Sequence, residues 1–332
     1  MSSSNLFSKI RYYIEIGRKM QQHLTKLPDD WPKFQEKFNR EVDILFSDIM
    51  NFEKSVLSRG DIDTFFKVKN FFIKNFRNQF RQGEYCIWSI DKPYGYAGDF
   101  KIMEDIYRNA PSTTGFGRLF DNYFQSSAIS VAVRNRKEDI KKFIFDFVKK
   151  KEGKHVGVVS LACGPCRELR ELLATDRNFF KNVSFECVDN DSRAIEFSKK
   201  LLEKNNNIRF FKRNALRIAL SKNISKKISQ RYDVIYSAGL FDYLNKKISM
   251  KLIEALKSLL VAGGKIIIAN VTDKYSNPSV CFMEWAGDWN LIYRSDNELK
   301  DIFIKSGFNK DDIYMKSEHQ GIVNYIIASN SE

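Results

Sequence analysis

The chain has 332 residues, 43% hydrophobic and 29% charged, with 28 Phe; that suits roughly two domains of about 150 residues and excludes global disorder. Five scattered Cys make no disulfide framework and point to a reducing, cytoplasmic setting. No apolar run is long enough to span a membrane, and Met1-Ser-Ser-Ser-Asn-Leu-Phe7 has no apolar stretch for a secretion signal. The net charge of +14 would suit a nucleic acid, but residues 1–150 hold 26 basic and 19 acidic side chains and the remainder carries an equal excess. With no basic block, the balance argues against a nucleic-acid partner.

Residues 5 to about 82 read as helices, with Phe7, Ile10, Ile14 and Met20, and again Leu45, Ile49, Phe52 and Val56, at helical spacing. Pro28 and Pro32 punctuate the first pair, and Arg59-Gly60-Asp61 breaks the chain before a Phe-rich helix over 64–80. Its stripe of Phe65, Phe66, Phe71, Phe72, Phe76 and Phe80 reads as buried packing. A loop over 83–100 holds Lys92-Pro-Tyr-Gly-Tyr-Ala-Gly-Asp-Phe100, and helices resume at 101–108 and 117–150.

After Gly153 short Val-rich runs without alternation predict buried strands at 156–161, 184–188, 208–212, 232–237 and 265–271. Helices over 167–175, 191–204, about 215–229 and 247–260 fill the gaps. This alternation means a parallel, doubly wound sheet. At the end, strand-like runs at 312–316 and 322–329 flank a turn at 317–321, and strands joined so closely pair antiparallel.

The turn Ser160-Leu-Ala-Cys-Gly-Pro-Cys-Arg-Glu168 follows the first strand and opens a helix, the place where such folds hold a ligand. With one glycine, Gly164, it lacks the three-glycine dinucleotide fingerprint. Cys163-Gly-Pro-Cys166 matches the thioredoxin active-site tetrapeptide, but no proline stands between Pro165 and Pro278 to face a dithiol and the strand order is wrong for that fold, so the sequence argues against redox chemistry. No second Cys pair or His cluster completes a metal site. The second strand ends in Cys187-Val-Asp189-Asn-Asp191, where Asp189 is placed to accept both hydroxyls of a ribose and Asp191 to cap the next helix. At the third tip Asn214 offers an amide to an adenine edge. Tyr236-Ser-Ala-Gly-Leu-Phe-Asp-Tyr-Leu244 ends the fourth strand, with Ser237, Ala238 and Gly239 leaving room and Phe241, Asp242 and Tyr243 overhanging it. Farther on, Trp285 and Trp289 read as buried packing rather than as a pocket wall.

One glycine turn, one acidic tip and a terminal hairpin resemble the class I S-adenosylmethionine-dependent methyltransferases over residues 153–330. Gly95-Tyr-Ala-Gly-Asp-Phe100, Ser237-Ala-Gly-Leu-Phe-Asp-Tyr243 and Met283-Glu-Trp…Asp288-Trp…Leu291-Ile-Tyr-Arg294 resemble bacterial proteins of 3-hydroxypalmitic acid methyl ester biosynthesis. The resemblance implies an α/β fold, a Rossmann-like seven-stranded methyltransferase sheet with an antiparallel terminal hairpin strand, over 151–332. A helical lid region over 1–150 precedes it.

S-adenosylmethionine is then the cofactor, held by Ala162, Cys163 and Gly164, by Asp189 and Asn190, and by Asn214 and Ala215. Ser237 and Gly239 line the same edge, and Tyr96, Asp99 and Arg134, with Arg136 nearby, cover its methionine end. Asp242, Tyr243, Arg294 and His319 are the catalytic candidates, Arg294 as partner of a substrate carboxylate and His319 as a general base. The substrate expected is a small molecule, with a 3-hydroxy fatty acid carboxylate as the methyl acceptor. Two alternatives use the same cofactor: attack on its aminocarboxypropyl chain with release of methylthioadenosine, and binding without turnover.

Overall fold

Val156–Leu161 forms strand β1, and all six of its residues are buried, as a strand covered by helices on both faces requires. The computed structural model describes residues 3–221, 224 and 230–331. Beside β1 lie β2 (Val183–Asp189) and β4 (Tyr232–Ser237), both parallel to it. β3 (Ile208–Lys212) joins the far side of β2, and β5 (Leu260–Val271) the far side of β4. β7 (Val323–Ser329) pairs antiparallel with β5, and β6 (Ile313–Ser317) antiparallel with β7. The order β3-β2-β1-β4-β5-β7-β6 is that of the class I methyltransferase sheet, as the resemblance implies.

The strand order reverses between β1 and β4, so the carboxyl ends of β1, β2 and β4 flank a crevice. One face of the sheet packs Val159, Leu161 and Ile266 against α11 (Lys246–Lys257) and α12 (Asp296–Lys305). The other packs Val156, Val158 and Val234 against α7 (Ala128–Lys150) and α8 (Arg167–Thr175). This part also holds α9 (Ser192–Leu202) and α10 (Ala215–Ala219). The helix expected over 215–229 is described only to residue 219 and at residue 224; residues 222–223 and 225–229 lie outside the described residues.

The chain divides into two units, 1–131 with 277–290 and 132–276 with 291–332, rather than at residue 150. The first is helical: α1 (Ser3–Lys26), α2 (Trp31–Leu57), α3 (Ile62–Phe80), α4 (Glu84–Asp91), α5 (Phe100–Arg108) and α6 (Gly115–Ser126). Phe72, Phe76 and Phe80 of α3 are buried; Phe72 stacks on Phe76, and the three meet Phe46, Phe120 and Phe282 edge-to-face. Trp285 is buried in this unit and donates its ring N–H to the buried Glu53 carboxylate at 2.6 Å. Trp289 is buried as well, so both Trp are packing residues.

Three elements differ from the sequence expectation. Within the segment read as a loop, residues 84–91 are helical. The amides of Glu84 and Tyr85 donate to the Asp121 carboxylate, each at 3.0 Å, and Thr113 Oγ1 donates to it at 2.7 Å. The cap thus comes from 36 residues away, where no local signal shows it. The helix expected over 117–150 is broken at Ser127, whose extended backbone ends α6, while the α7 amide of Ala128 donates to Ser279 Oγ at 2.9 Å. α12 opens on a capping box between Ser295 and Glu298.

Replacing Asp121 by Ala leaves the buried Tyr85 amide, the part-buried Glu84 amide and the Thr113 hydroxyl without this acceptor and should lower unfolding stability by about 2–4 kcal/mol. Ser295→Ala should cost only about 1 kcal/mol. Urea denaturation of both variants checks the ranking.

Candidate active site

The β1–α8 turn is built from left-handed residues: φ is 55° at Ala162, 51° at Gly164 and 47° at Cys166. A side chain in this conformation costs roughly 1–2 kcal/mol, which Ala162 and Cys166 bear and Gly164 avoids. The turn persists because its backbone is tied down. Cys163 N–H donates to Val188 O at 3.1 Å, and Gly164 O accepts from Ser198 Oγ at 2.9 Å. Gly164 N–H donates to Asp189 Oδ2 at 2.9 Å. A Cβ on Gly164 would have no atom within 4 Å. The turn therefore faces open space, although the side chains of Cys163 and Cys166 are buried in the core beneath it.

Asp189 joins two strand tips. Its Oδ2 takes the Gly164 amide and its Oδ1 the Asp191 amide at 2.9 Å. Burial raises its pKa, and the amides that hydrogen-bond to it oppose the rise. Asp191 caps α9 through the Arg193 amide, while Asn190 is exposed beside them. Asn214 caps α10, its Oδ1 accepting from Leu216 N–H at 2.7 Å, so its amide oxygen is spent and its NH2 group is the part left for a ligand. Ala215 is the first residue of α10.

At the end of β4, Ser237 is buried and donates to Leu161 O at 2.9 Å. It clamps β4 to β1 rather than facing a ligand. Gly239 lies against Arg136: a Cβ there would stand 3.3 Å from a guanidinium nitrogen. Asp242 is 3% exposed, and its Oδ1 accepts from Val271 N–H at 2.8 Å. Burial pushes its pKa up to about 6 against that bond and the charges of Arg136 and Arg294. Tyr243 next to it is exposed.

Arg294 is not placed to pair a substrate carboxylate. Its buried guanidinium donates to Phe241 O at 2.6 Å, to Asn270 Oδ1 at 2.7 Å and to Leu244 O. It braces the loop that carries Asp242. His319 is exposed in the β6–β7 turn; β6 is the outer strand, four places from β1, or roughly 19 Å along the sheet at about 4.8 Å per strand. The neighbour of His319 in the turn, Glu318, accepts from Asn135 Nδ2 of α7 at 2.9 Å, so the turn meets the helix that carries Arg134 and Arg136.

In the first unit, Asp99 is 1% exposed and caps α5 through the Lys101 and Ile102 amides at 2.8 and 3.1 Å. It also accepts from Trp88 Nε1 at 2.8 Å. Its carboxylate is a structural cap rather than a ligand contact. Tyr96 is exposed in the same loop. Arg134 on α7 is partly buried, and burial lowers its pKa.

One buried acid is not legible as a site residue in the sequence. Glu168, in the first turn of α8, accepts from Tyr236 OH at 2.7 Å. Its pKa is raised to about 7, by burial first and by Cys166 second. An acid in a first helical turn reads from sequence as an exposed partner of the helix dipole; only the Tyr236 contact reveals that it is buried. Among the described residues, no group of three or more His, Cys, Asp or Glu is set to hold a metal ion. No helix among them is long and apolar enough to cross a membrane.

A family model described as tellurite resistance protein TehB matches residues 146–305. None of the curated proteins matches the chain. Among solved structures, a possible exported protein of Bordetella parapertussis aligns at 16% identity and a TM-score of 0.56, covering 70% of this chain and 80% of that one. A magnesium protoporphyrin IX methyltransferase from Synechocystis with bound SAH aligns at 13% identity and 0.44, covering 62% and 89%. The CurJ carbon methyltransferase aligns at 11% identity and 0.47, covering 70% and 68%.

The unfolded Glu168 carboxyl takes the ordinary 4.5 and the folded one about 7, so the folded state holds the proton more tightly. Its stabilising contribution is full below pH 4.5 and falls as pH rises towards 7. Glu168→Gln keeps an acceptor for Tyr236 and removes this decline. The variant should gain on the parent by roughly 2 kcal/mol between about pH 5 and pH 8, read from urea midpoints at the two pH values.

Proposed function

We propose that the chain is an S-adenosylmethionine-dependent methyltransferase acting on an oxygen of a small molecule. The observation that carries this is the open space in front of Gly164, whose amide is bonded to a carboxylate at the neighbouring strand tip. A ligand can approach the backbone there, and Asp189 keeps acceptor capacity on both oxygens for paired hydroxyls. Ala162, Cys163 and Gly164 would hold the cofactor through the backbone, Asp189 and Asn190 its ribose, and the Asn214 amide with Ala215 its adenine. When bound, the cofactor supplies an electrophilic methyl group on a sulfonium. Arg134 and Arg136 are the cations proposed for its carboxylate end, Arg136 lying beside Gly239.

The chain's own residues then have to align the acceptor and manage its proton. Asp242 suits the second of these roles. Its Oδ1 is fixed by Val271 N–H, and among the described residues no donor takes its Oδ2. With a pKa of about 6 it is ionised near neutrality and accepts a proton from a hydroxyl. Arg294 acts by holding the Asp242 loop in place, and Tyr243, exposed beside it, is proposed to meet the acceptor.

A 3-hydroxy fatty acid, the acceptor implied by the resemblance, presents both a hydroxyl and a carboxylate. The buried Asp242 favours the hydroxyl. The carboxylate reading gives Arg136, which is 5% exposed, to the substrate acid, since Arg294 is engaged elsewhere, and leaves Arg134 for the cofactor's carboxylate. A carboxylate, already ionised, needs no base.

Purified protein incubated with S-adenosylmethionine and 3-hydroxy fatty acids, or with tellurite in view of the matched family model, is followed by mass spectrometry. The expected product is S-adenosylhomocysteine in the presence of an acceptor, lost in Asp189→Ala. Methylthioadenosine instead would overturn the proposal in favour of chemistry on the aminocarboxypropyl chain, and binding without either product would leave a non-catalytic binder. For a hydroxyl acceptor, kcat/KM should rise with pH to a plateau above about 6. Asp242→Asn should cost on the order of 100-fold and flatten that rise; an unchanged rate in this variant selects the carboxylate.

A further inference from the structure

The tetrapeptide Cys163-Gly-Pro-Cys166 has no part in the proposed methyl transfer beyond its backbone, yet its two thiols are not isolated. Cys187 packs in the same core cluster as both, and the Cys163 thiol donates to Gly164 O at 3.9 Å. All three are buried and are free thiols. Cys163 and Cys166 are separated by a two-residue turn, and the Cys166 amide donates back to Cys163 O at 3.1 Å. Cys187 reaches them from β2, two residues before Asp189. The other two cysteines, Cys86 and Cys281, lie in the helical unit.

We propose that Cys163 and Cys166 form an oxidisable dithiol that a hydroperoxide converts to a disulfide, and that this bridge weakens cofactor binding at the turn. Cys166 is the attacking thiol. It stands at the N-terminus of α8, a nine-residue helix, where a thiolate is favoured. The Cys163 thiol is turned to Gly164 O at 3.9 Å, which leaves Cys166, at the helix start, as the thiol best placed to attack.

The Cys166 thiolate attacks one oxygen of hydrogen peroxide, forming an S–O bond while the O–O bond breaks and hydroxide leaves. The Cys163 sulfur then attacks the sulfenic sulfur. The S–O bond breaks, the Cys163 proton goes to the departing oxygen, and water leaves. The two thiols lose two electrons and two hydrogens, and one peroxide becomes two waters. Cys163 is 6% exposed and Cys166 and Cys187 are fully covered, so a water-sized oxidant is selected over a bulky disulfide such as glutathione disulfide.

The effect on the turn follows from its geometry. Gly164, whose N–H is aimed at Asp189 and whose O is held by Ser198, lies inside the ring that the bridge closes. Drawing the sulfurs from contact to bonding distance shifts this left-handed backbone against two fixed hydrogen bonds. This second part rests on the cofactor assignment above.

Trypsin releases Cys163 and Cys166 together in the peptide 155–167 and Cys187 in the peptide 182–193, so the test is direct. Folded protein is treated with hydrogen peroxide, free thiols are blocked, and the peptides are weighed. The expected result is peptide 155–167 lighter by two hydrogens, restored by dithiothreitol and absent in Cys166→Ser. A sulfinic or sulfonic acid, a link from Cys163 or Cys166 to the 182–193 peptide, equal reaction with glutathione disulfide, or no reaction at all would overturn the dithiol.

Calorimetric titration of the same samples with S-adenosylhomocysteine reads the second part. Affinity should fall several-fold on oxidation and recover on reduction, with Cys166→Ser insensitive to peroxide. A bridge that leaves affinity unchanged overturns the effect on binding. If the reduced protein binds no S-adenosylhomocysteine, the cofactor assignment fails and the effect on binding fails with it, while the peptide masses still decide whether the dithiol exists.

Discussion

The bond from Gly164 N–H to Asp189 Oδ2 is the constraint on which the rest of the candidate site depends. It ties the turn after β1 to the tip of β2 on one side of the crevice that opens where the strand order reverses, and so fixes two neighbouring strand tips against each other. A carboxylate at a strand tip would ordinarily be solvated and mobile. Here each oxygen accepts a backbone amide, so Asp189 is preorganised and partly desolvated before any ligand arrives. Preorganisation of this kind lowers the ordering cost of binding, and the glycine is needed for both ends of the arrangement. A side chain at Gly164 would be strained at φ 51° and would occupy the space in front of the turn.

A second consequence concerns charge. Asp189, Glu168 and Asp242 all lie along the carboxyl edge of β1, β2 and β4, and burial raises the pKa of each. Arg136 and Arg294 answer part of that charge, with different ranges of action. Arg294 is saturated by carbonyls and one amide side chain, and its service is to shape the 241–244 loop. Arg136 acts over both acids at once, lowering Glu168 and Asp242 by its charge. The edge thus holds two acids raised into the range of about 6 to 7, Asp242 and Glu168, with the Arg136 charge opposing the rise at both.

How much of this is legible in the letters follows the range of the interactions. β1, β3, β4 and α8 are read to the residue, because a run such as Val156–Leu161 has no polar face and strands buried on both sides need none. α4 and the break at Ser127 are invisible locally, since their caps come from Asp121 and Ser279, far along the chain. α12 is a different case: Ser295 and Glu298 spell a capping box within four residues, a signal that the letters do carry. The site residues divide in the same way. Asp189 is placed at a strand tip by spacing alone. Ser237, Arg294 and Asp99 carry polar groups at suggestive positions, and only the fold reveals that a carbonyl, a loop or a helix end already uses them.

The Cys-Gly-Pro-Cys letters show why a motif and its context must be weighed separately. As a sign of a thioredoxin fold they mislead, for the strand order and the absence of a facing proline exclude it. As local chemistry they say something the fold does not cancel. A two-residue turn that brings two thiols together at a helix start behaves according to its geometry, whatever sheet lies behind it. In this chain the same turn must bend through three left-handed residues and keep Gly164 aimed at Asp189. The cysteines fill the core under that bend, where Ser would leave a hydroxyl seeking a partner and a larger side chain would lift the turn. Packing accounts for small sulfur side chains at these positions, and the turn that sets Cys166 N–H on Cys163 O at 3.1 Å is the added fact that packing does not demand.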